Sequence, residues 1–308
     1  MSLESYVTGL MKEPSPKGMD KLVLSGLSQL EKMYFSQVEK KRAADMAAAV
    51  SAHVPVISVG NITAGGTGKT PCILMLAELF FSIGKKPAII SRGYKSGLEK
   101  EGGCVSDGRS ILVSQQMAGD EPYMMARKLP SVPIFIGKDR IASVKRAEEM
   151  GVGILLLDDG FQYWKLRRDQ DIILIDATNP FGYGHGLPRG LLREPLDALS
   201  RASLFILTKS DQVHLTDLME IREELARLAP GVPVLSSTHA PSKVVPYEKW
   251  KAFLHEGTLE DVRMKKAYLV SGIGNPAAFK KTAKEAGLRP VGEMPFPCLL
   301  YTSDAADD

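Results

Sequence analysis

The chain has 308 residues, 44% of them hydrophobic and 24% charged, with a formal net charge of +3. This composition describes a globular chain with room for one large or two moderate cores, and so small a basic excess argues against nucleic acid as a partner. Its three cysteines, Cys72, Cys104 and Cys298, lie far apart without a C-x-x-C pair, which excludes a disulfide or zinc framework and points to a reducing compartment.

Residues 1–20 lack the apolar core of a cleavable signal peptide, and no run of 18 apolar residues can span a bilayer as a simple helix. The next segment reads as a helix. Val23, Leu27, Leu30 and Tyr34 recur at helical spacing, and six basic but three acidic residues fall between Lys17 and Arg42. Such a helix either packs its apolar stripe on the protein's own core or lies on an anionic membrane surface.

Val54–Val59 reads as a buried strand, followed by a glycine-rich turn and then Gly68-Lys69-Thr70 before a helical run containing Leu74, Leu76 and Leu79. Strand, loop and helix in this order are the context of a phosphate-binding P-loop. Glycines at 65, 66 and 68 let backbone N–H groups, Thr67 included, approach phosphate oxygens, and the helix N-terminus adds favourable partial charge. Lys69 can reach the β- and γ-phosphates, and the Thr70 hydroxyl can ligate Mg²⁺. The usual G-x-x-x-x-G-K-[ST] spacing would place glycine at 63, where this chain has Thr63.

Pro87–Ile90 reads as a second strand ending in Ser91-Arg92-Gly93-Tyr94, and a Gly-rich loop follows to Gly108. Gly119-Asp120-Glu121-Pro122 opens a helix, Val132–Ile136 is a strand, and Asp139–Met150 is a helix with Asp139 as its N-cap and Gly151 after its end. Ile154–Leu157 is a wholly apolar strand running into Asp158-Asp159, which can deliver carboxylate oxygen to the metal that Thr70 touches; an ordinary Asp-Gly turn is the plainer alternative. Arg92 can hold phosphate bidentately or be a surface arginine. Asp120 can accept a substrate proton or merely cap its helix. Ile172–Ile175 and Leu204–Leu207 are further strands, and Thr216–Leu228 is a helix. Tyr268–Ser271 is a strand leading to Gly272-Ile273-Gly274-Asn275-Pro276 and a helix ending near Gly287.

Apolar strands alternating with helices predict an α/β fold, a P-loop NTPase-like parallel sheet covered by helices, with a smaller second α/β domain. The expected division is an N-terminal amphipathic segment at 1–50, a nucleotide-binding core at 51–200, a smaller domain at 201–297 and a tail at 298–308. In such sheets ligands bind beyond the carboxyl ends of the strands.

Seven landmarks, in order, resemble the tetraacyldisaccharide 4′-kinases of lipid A synthesis: V-G-N-I-T-A-G-G-T-G-K-T-P (59–71), S-R-G-Y (91–94), G-D-E-P (119–122), L-D-D-G-F-Q (157–162), R-D-Q-D-I-I-L-I-D (168–176), G-Y-G-H-G-L-P-R-G-L-L-R-E-P (182–195) and G-I-G-N-P (272–276). The resemblance covers about residues 20–297, and the odd P-loop spacing is itself a family trait. It implies ATP and Mg²⁺ as cofactors and phosphorylation of the 4′-hydroxyl of an acylated glucosamine disaccharide 1-phosphate. A substrate with acyl chains implies peripheral attachment to the cytoplasmic face of the bacterial inner membrane through the N-terminal helix, with no obligate protein partner. By position, Lys69 and Thr70 would serve phosphate and Mg²⁺, Asp158 and Asp159 the metal, Asp120 the proton, and Arg92 would sit near the phosphates.

The chain departs from the family pattern where Tyr183 replaces a usual Asn and where Phe296-Pro297 is followed by Cys298-Leu299-Leu300 instead of an Asp-His pair. Residues 298–308 read as a foreign tail on a shortened chain, so weak catalysis is expected. Thr208-Lys209-Ser210-Asp211 resembles the [NT]-K-x-D element of GTPases, which keeps a GTP switch or metallochaperone as the alternative. A membrane-surface nucleotide-binding protein without catalysis is a third reading.

Overall fold

A computed structural model describes residues 3–12, 17–238, 240–252, 254, 256–272 and 276–296. The chain divides into two compact units, 1–237 and 238–308.

The first unit opens with helices α1 (Leu3–Lys12) and α2 (Met19–Ala47). Then come β1 (Val56–Gly60), α3 (Lys69–Ser82), β2 (Pro87–Ser91), β3 (Gly103–Asp107), α4 (Gln115–Ala118), α5 (Asp120–Lys128), β4 (Pro133–Ile136), α6 (Arg140–Glu149), β5 (Ile154–Asp158), β6 (Gln170–Asp176), β7 (Leu204–Thr208), α7 (Leu215–Leu228) and β8 (Val234–Ser236). Eight strands form one sheet in the order β3-β4-β2-β5-β1-β6-β7-β8. Every neighbouring pair is parallel except β3 with β4.

Period-two alternation sends side chains to the two faces of the sheet, where three apolar clusters form. Ile89, Ile134, Leu156, Leu174 and Ile206 pack with Ile73, Ala77 and Met125 of α3 and α5. Ala88, Ile90, Phe135, Leu155 and Leu157 pack with Val144 and Ala147 of α6, and Ile173, Ile175, Phe205 and Leu207 pack with Ile221 and Leu225 of α7. Helices therefore cover both faces, as continuous apolar strands require. The Asp139 carboxylate caps α6, accepting from the backbone N–H of Ile141 at 3.1 Å and Ala142 at 3.3 Å.

The boundary expected near residue 200 lies instead at 237/238, because β7 and β8 hydrogen-bond into the main sheet. β3 falls in the stretch expected to be a loop; its Cys104-Val105-Ser106 run is too short, between glycines, to announce a strand.

α2 carries apolar residues on two faces. Leu24 is buried, and Val23, Leu27, Tyr34 and Phe35 are half-buried, whereas Met19, Leu22, Leu30 and Met33 are exposed. The expected stripe therefore divides: Val23, Leu27 and Tyr34 turn towards the protein, and Leu30 joins an outward stripe. At 100° per residue those four outward side chains fall within about 80° of the helix circumference. Tyr34 donates its hydroxyl to the Arg193 carbonyl at 3.0 Å, and Glu31 accepts from the Gly186 N–H at 2.6 Å.

The second unit contains α8 (Tyr247–Lys251), β9 (Lys266–Ser271), α9 (Pro276–Glu285) and β10 (Arg289–Pro295). β9 and β10 pair in parallel, and Leu269, Ala283 and Ala286 are buried between the strands and α9. Residues 273–275 of the Gly-Ile-Gly-Asn-Pro landmark and all of 297–308 lie outside the described residues, as do His239 and His255.

Candidate active site

The carboxyl ends of β1 and β5 lie side by side in the sheet, where parallel α/β folds place their ligands. β1 leads into the glycine loop, and Gly60 is required there. A Cβ on Gly60 would lie 2.6 Å from Cβ of Phe161, closer than two carbons can pack. Gly65 and Gly68 take positive φ values of 116° and 87°, and α3 begins at Lys69 directly after Gly68.

The non-glycine at 63 has a structural explanation. Thr63 forms an isolated antiparallel bridge with Leu192, Ala64 donates to the Leu191 carbonyl at 2.7 Å, and Arg193 donates to the Ile62 carbonyl at 2.8 Å. The 182–195 loop thus holds the first half of the phosphate loop extended, leaving the turn to Gly65–Gly68.

Lys69 is fixed from two sides. Its Nζ donates to Asn61 Oδ1 at 3.1 Å and lies 3.6 Å from Asp159 Oδ1. Asn61 is fixed in turn, donating through Nδ2 to the Thr63 carbonyl at 2.6 Å. Asp159 sits just beyond β5 in the left-handed region, φ 46°. Arg193 Nη1 donates to both its carboxylate oxygens, at 2.9 and 3.0 Å. Burial would raise the Asp159 carboxyl, but Lys69 and Arg193 outweigh burial and hold it below the ordinary value of 3.8. Gln162 completes the web, donating to the Asn61 carbonyl at 3.1 Å and to Glu194 Oε1 at 3.0 Å. Glu194 also receives Arg201 Nη2 at 2.8 Å.

Asp158 behaves differently from its neighbour. It is buried, and Ser91 Oγ donates to its Oδ2 at 2.9 Å. Burial pushes its pKa up, against the opposing pull of the Ser91 hydrogen bond and the Arg140 charge. Arg140 is itself buried, donates to the Asp159 carbonyl at 2.9 Å and lies over the Tyr163 ring.

Thr70 Oγ1 donates to Glu121 Oε1 at 3.3 Å, joining the first turns of α3 and α5. Asp120 precedes Glu121 and accepts from Gln115 Nε2 at 2.8 Å on an exposed face. Among the described residues no group of three His, Cys, Asp or Glu is gathered for a metal. Mg²⁺ needs only one or two protein oxygens beside phosphate and water. The Thr70 hydroxyl and Glu121 carboxylate, both hard donors at the mouth of the glycine loop, fit it.

Arg92, just after β2, is engaged within its own loop. Its Nε donates to Glu99 Oε1 at 2.7 Å and its guanidinium lies over Tyr94. Neither Cys72 nor Cys104 belongs to this chemistry, since burial pushes each thiol up to about 11. Asn61, Glu121, Gln162 and Arg140 were not singled out from sequence, and Arg193 only as one arginine of the Gly-, Pro- and Arg-rich 188–195 loop. All but Arg140 stand inside landmark motifs, and their polar character within Gly- and Asp-rich turns was the available signal.

A glycine loop running into Lys-Thr at a helix start, beside an Asp-Asp end of the adjacent parallel strand, defines a P-loop NTPase-like, kinase-type protein. The family model LpxK, tetraacyldisaccharide-1-P 4′-kinase, matches residues 21–298, and the chain belongs to that family. It is 38% identical over 304 residues to the tetraacyldisaccharide 4′-kinase of Halothermothrix orenii, an alignment covering 96% of this chain and 79% of that protein. Against the tetraacyldisaccharide 4′-kinase of Desulfatibacillum aliphaticivorans it is 41% identical over 247 residues, covering 79% of this chain and 65% of that one. Among solved structures it is similar to LpxK from Aquifex aeolicus in complex with ATP, with 28% identity and a TM-score of 0.68. That match covers 93% of this chain and 85% of the other.

Proposed function

We propose that this protein transfers the γ-phosphoryl group of ATP to the 4′-hydroxyl of a tetraacylated glucosamine disaccharide 1-phosphate. The observation that carries the reading is the fixed Lys69 of the glycine loop, held between Asn61 and Asp159 in a chain of this family.

The backbone of Gly65, Gly66, Thr67 and Gly68 would cradle the β- and γ-phosphates at the α3 N-terminus. Lys69 would neutralise charge that grows on the transferring group and on the ADP leaving oxygen. Asp120, exposed at the start of α5, would take the proton from the 4′-hydroxyl as its oxygen bonds to phosphorus and the bond from phosphorus to the ADP oxygen breaks. Thr70 and Glu121, with Asp158 or Asp159 behind them, would hold Mg²⁺, which when bound supplies charge neutralisation across the phosphates. Lys69 and Arg193 together hold the Asp159 carboxyl below its ordinary value, and Arg193 keeps it in place against Lys69. Arg92, paired with Glu99 in the free protein, would sit near the phosphates.

The exposed Met19, Leu22, Leu30 and Met33 stripe on α2 supports peripheral attachment to a membrane, in this reading the cytoplasmic face of the inner membrane. Among the described residues no helix is long and apolar enough to cross one. The test is transfer of labelled phosphate from ATP to the lipid disaccharide in detergent micelles. No labelled lipid with the purified, folded protein would refute the assignment.

A further inference from the structure

The Thr208-Lys209-Ser210-Asp211 turn has no part in the chemistry above, yet it touches the glycine loop. Lys209 follows β7 in the left-handed region, φ 55°, a conformation that a non-glycine residue adopts only when its surroundings hold it there. The surroundings do so on three sides. Ser210 donates through both its N–H (3.2 Å) and its Oγ (2.9 Å) to the Ser237 carbonyl. Ala177 donates to the Thr208 carbonyl at 3.0 Å, tying the end of β6 to β7. The Lys209 ammonium forms an ion pair with Asp176 Oδ2. Asp176 is anchored through its other oxygen, which accepts from the N–H and Oγ of Thr178 at 3.0 and 2.6 Å.

From this braced position Lys209 Nζ reaches the Gly66 carbonyl at 3.5 Å, the outer limit of a hydrogen bond. The Thr208 methyl group lies under Gly68, 3.6 Å from where a Cβ would stand. A Cβ on Gly65 or Gly66 would meet no atom within 4 Å. The glycine loop is therefore open on its outer side and gripped at one carbonyl. In a trans peptide the C=O of one residue and the N–H of the next point in opposite directions. Holding the Gly66 oxygen thus fixes the direction of the Thr67 N–H, one of the donors a phosphate cradle uses.

We propose that Lys209, braced by Asp176, is a positioning residue that sets the phosphate-binding form of the glycine loop for a nucleoside di- or triphosphate. The proposal rests on the nucleotide reading given above. It assigns to the Lys of this turn a task at the phosphates.

The test is calorimetric binding of ADP and AMP to wild type, Lys69→Ala, Lys209→Met, Lys209→Arg and Asp176→Asn, with thermal melting of each. Lys209→Met keeps the length of the side chain and removes the charge and donor. It should weaken ADP about tenfold, a loss of about 1.4 kcal/mol, while AMP affinity and the melting midpoint stay near wild type. Lys209→Arg should restore ADP binding, because a guanidinium can reach both partners. Asp176→Asn should weaken ADP to an intermediate extent, since Lys209 loses its brace. A merely structural ion pair would lower the melting midpoint and leave the ratio of ADP to AMP affinity unchanged, and that result overturns the proposal. So does an ADP affinity within about twofold of wild type in folded Lys209→Met. Should Lys209→Met fail to fold, Asp176→Asn decides on the same ratio. Loss of ADP binding in Lys69→Ala but in neither Lys209→Met nor Asp176→Asn would sink the positioning role of Lys209 alone, whereas no ADP binding by wild type would remove the nucleotide reading and that role together.

Discussion

Replacing Lys69 by Ala separates the stability of the site from its chemistry. In the free protein the Lys69 ammonium makes one hydrogen bond, to Asn61 at 3.1 Å, and one longer ionic contact, to Asp159 at 3.6 Å. A hydrogen bond of this kind contributes about 0.5–1.5 kcal/mol net. The ionic contact is partly exposed on the Asp159 side and is screened there, so it adds at most about 1 kcal/mol. Arg193 remains on both Asp159 oxygens after the change, so no buried charge is left alone. The expected loss of stability is therefore about 1–2 kcal/mol, a fall of a few degrees in melting midpoint for a unit of this size. The catalytic loss is larger. A cation aimed at charge that develops in the transition state is worth about 3–4 kcal/mol, or a factor of about 10²–10³ in kcat. The assay is labelled-phosphate transfer from saturating ATP to the lipid disaccharide in detergent, run beside a thermal melt. A folded Lys69→Ala protein with kcat within about tenfold of wild type would refute the role assigned to Lys69 and, with it, the location of the site.

Asp120→Asn should lower kcat and leave the Mg²⁺ requirement unchanged, whereas Glu121→Gln should raise the Mg²⁺ concentration for half-maximal rate; equal Mg²⁺ shifts in the two variants would show the roles wrongly divided. Because the folded-state pKa of Asp159 is depressed below its ordinary 3.8, its stabilising contribution is complete above that value and is lost as pH falls through the folded pKa. Chemical denaturation of wild type and Asp159→Asn should therefore differ most near neutral pH and converge in acid; a gap that widens in acid would contradict the Arg193 and Lys69 pairing. Replacing Leu30 and Met33 together by Glu should release the protein from anionic vesicles without disturbing Tyr34 or Glu31, and co-sedimentation equal to wild type would remove the outward face of α2 as the membrane contact.

The strands were legible because their information is local. The Ile154–Leu157 run is apolar at every position, and only a strand covered on both faces needs that, so a buried strand of a parallel sheet followed, while its place between β2 and β1 is read from the structure. The glycine loop was legible for a similar reason, since few other arrangements need three glycines and Lys-Thr between a strand and a helix. What the sequence hid is set by contacts between distant segments. Arg92 and Arg193 are both arginines beside glycine-rich turns. One turns to Glu99, seven residues along the chain. The other crosses to Asp159, because the 182–195 loop bridges Thr63 and is carried over the site. No local pattern distinguishes the two. The same holds for α2. Its inward and outward apolar residues are read as one stripe until Tyr34 and Glu31 are seen to grip Arg193 and Gly186. That grip links the helix proposed to meet the membrane with the loop that holds Asp159 through Arg193, and Asp159 in turn faces Lys69. The segment with the least regular sequence, 182–195, thus connects the two regions that a kinase acting on a lipid must bring together. Its Gly, Pro and Arg content suits a segment whose conformation is dictated by its partners on either side instead of by a repeating pattern of its own.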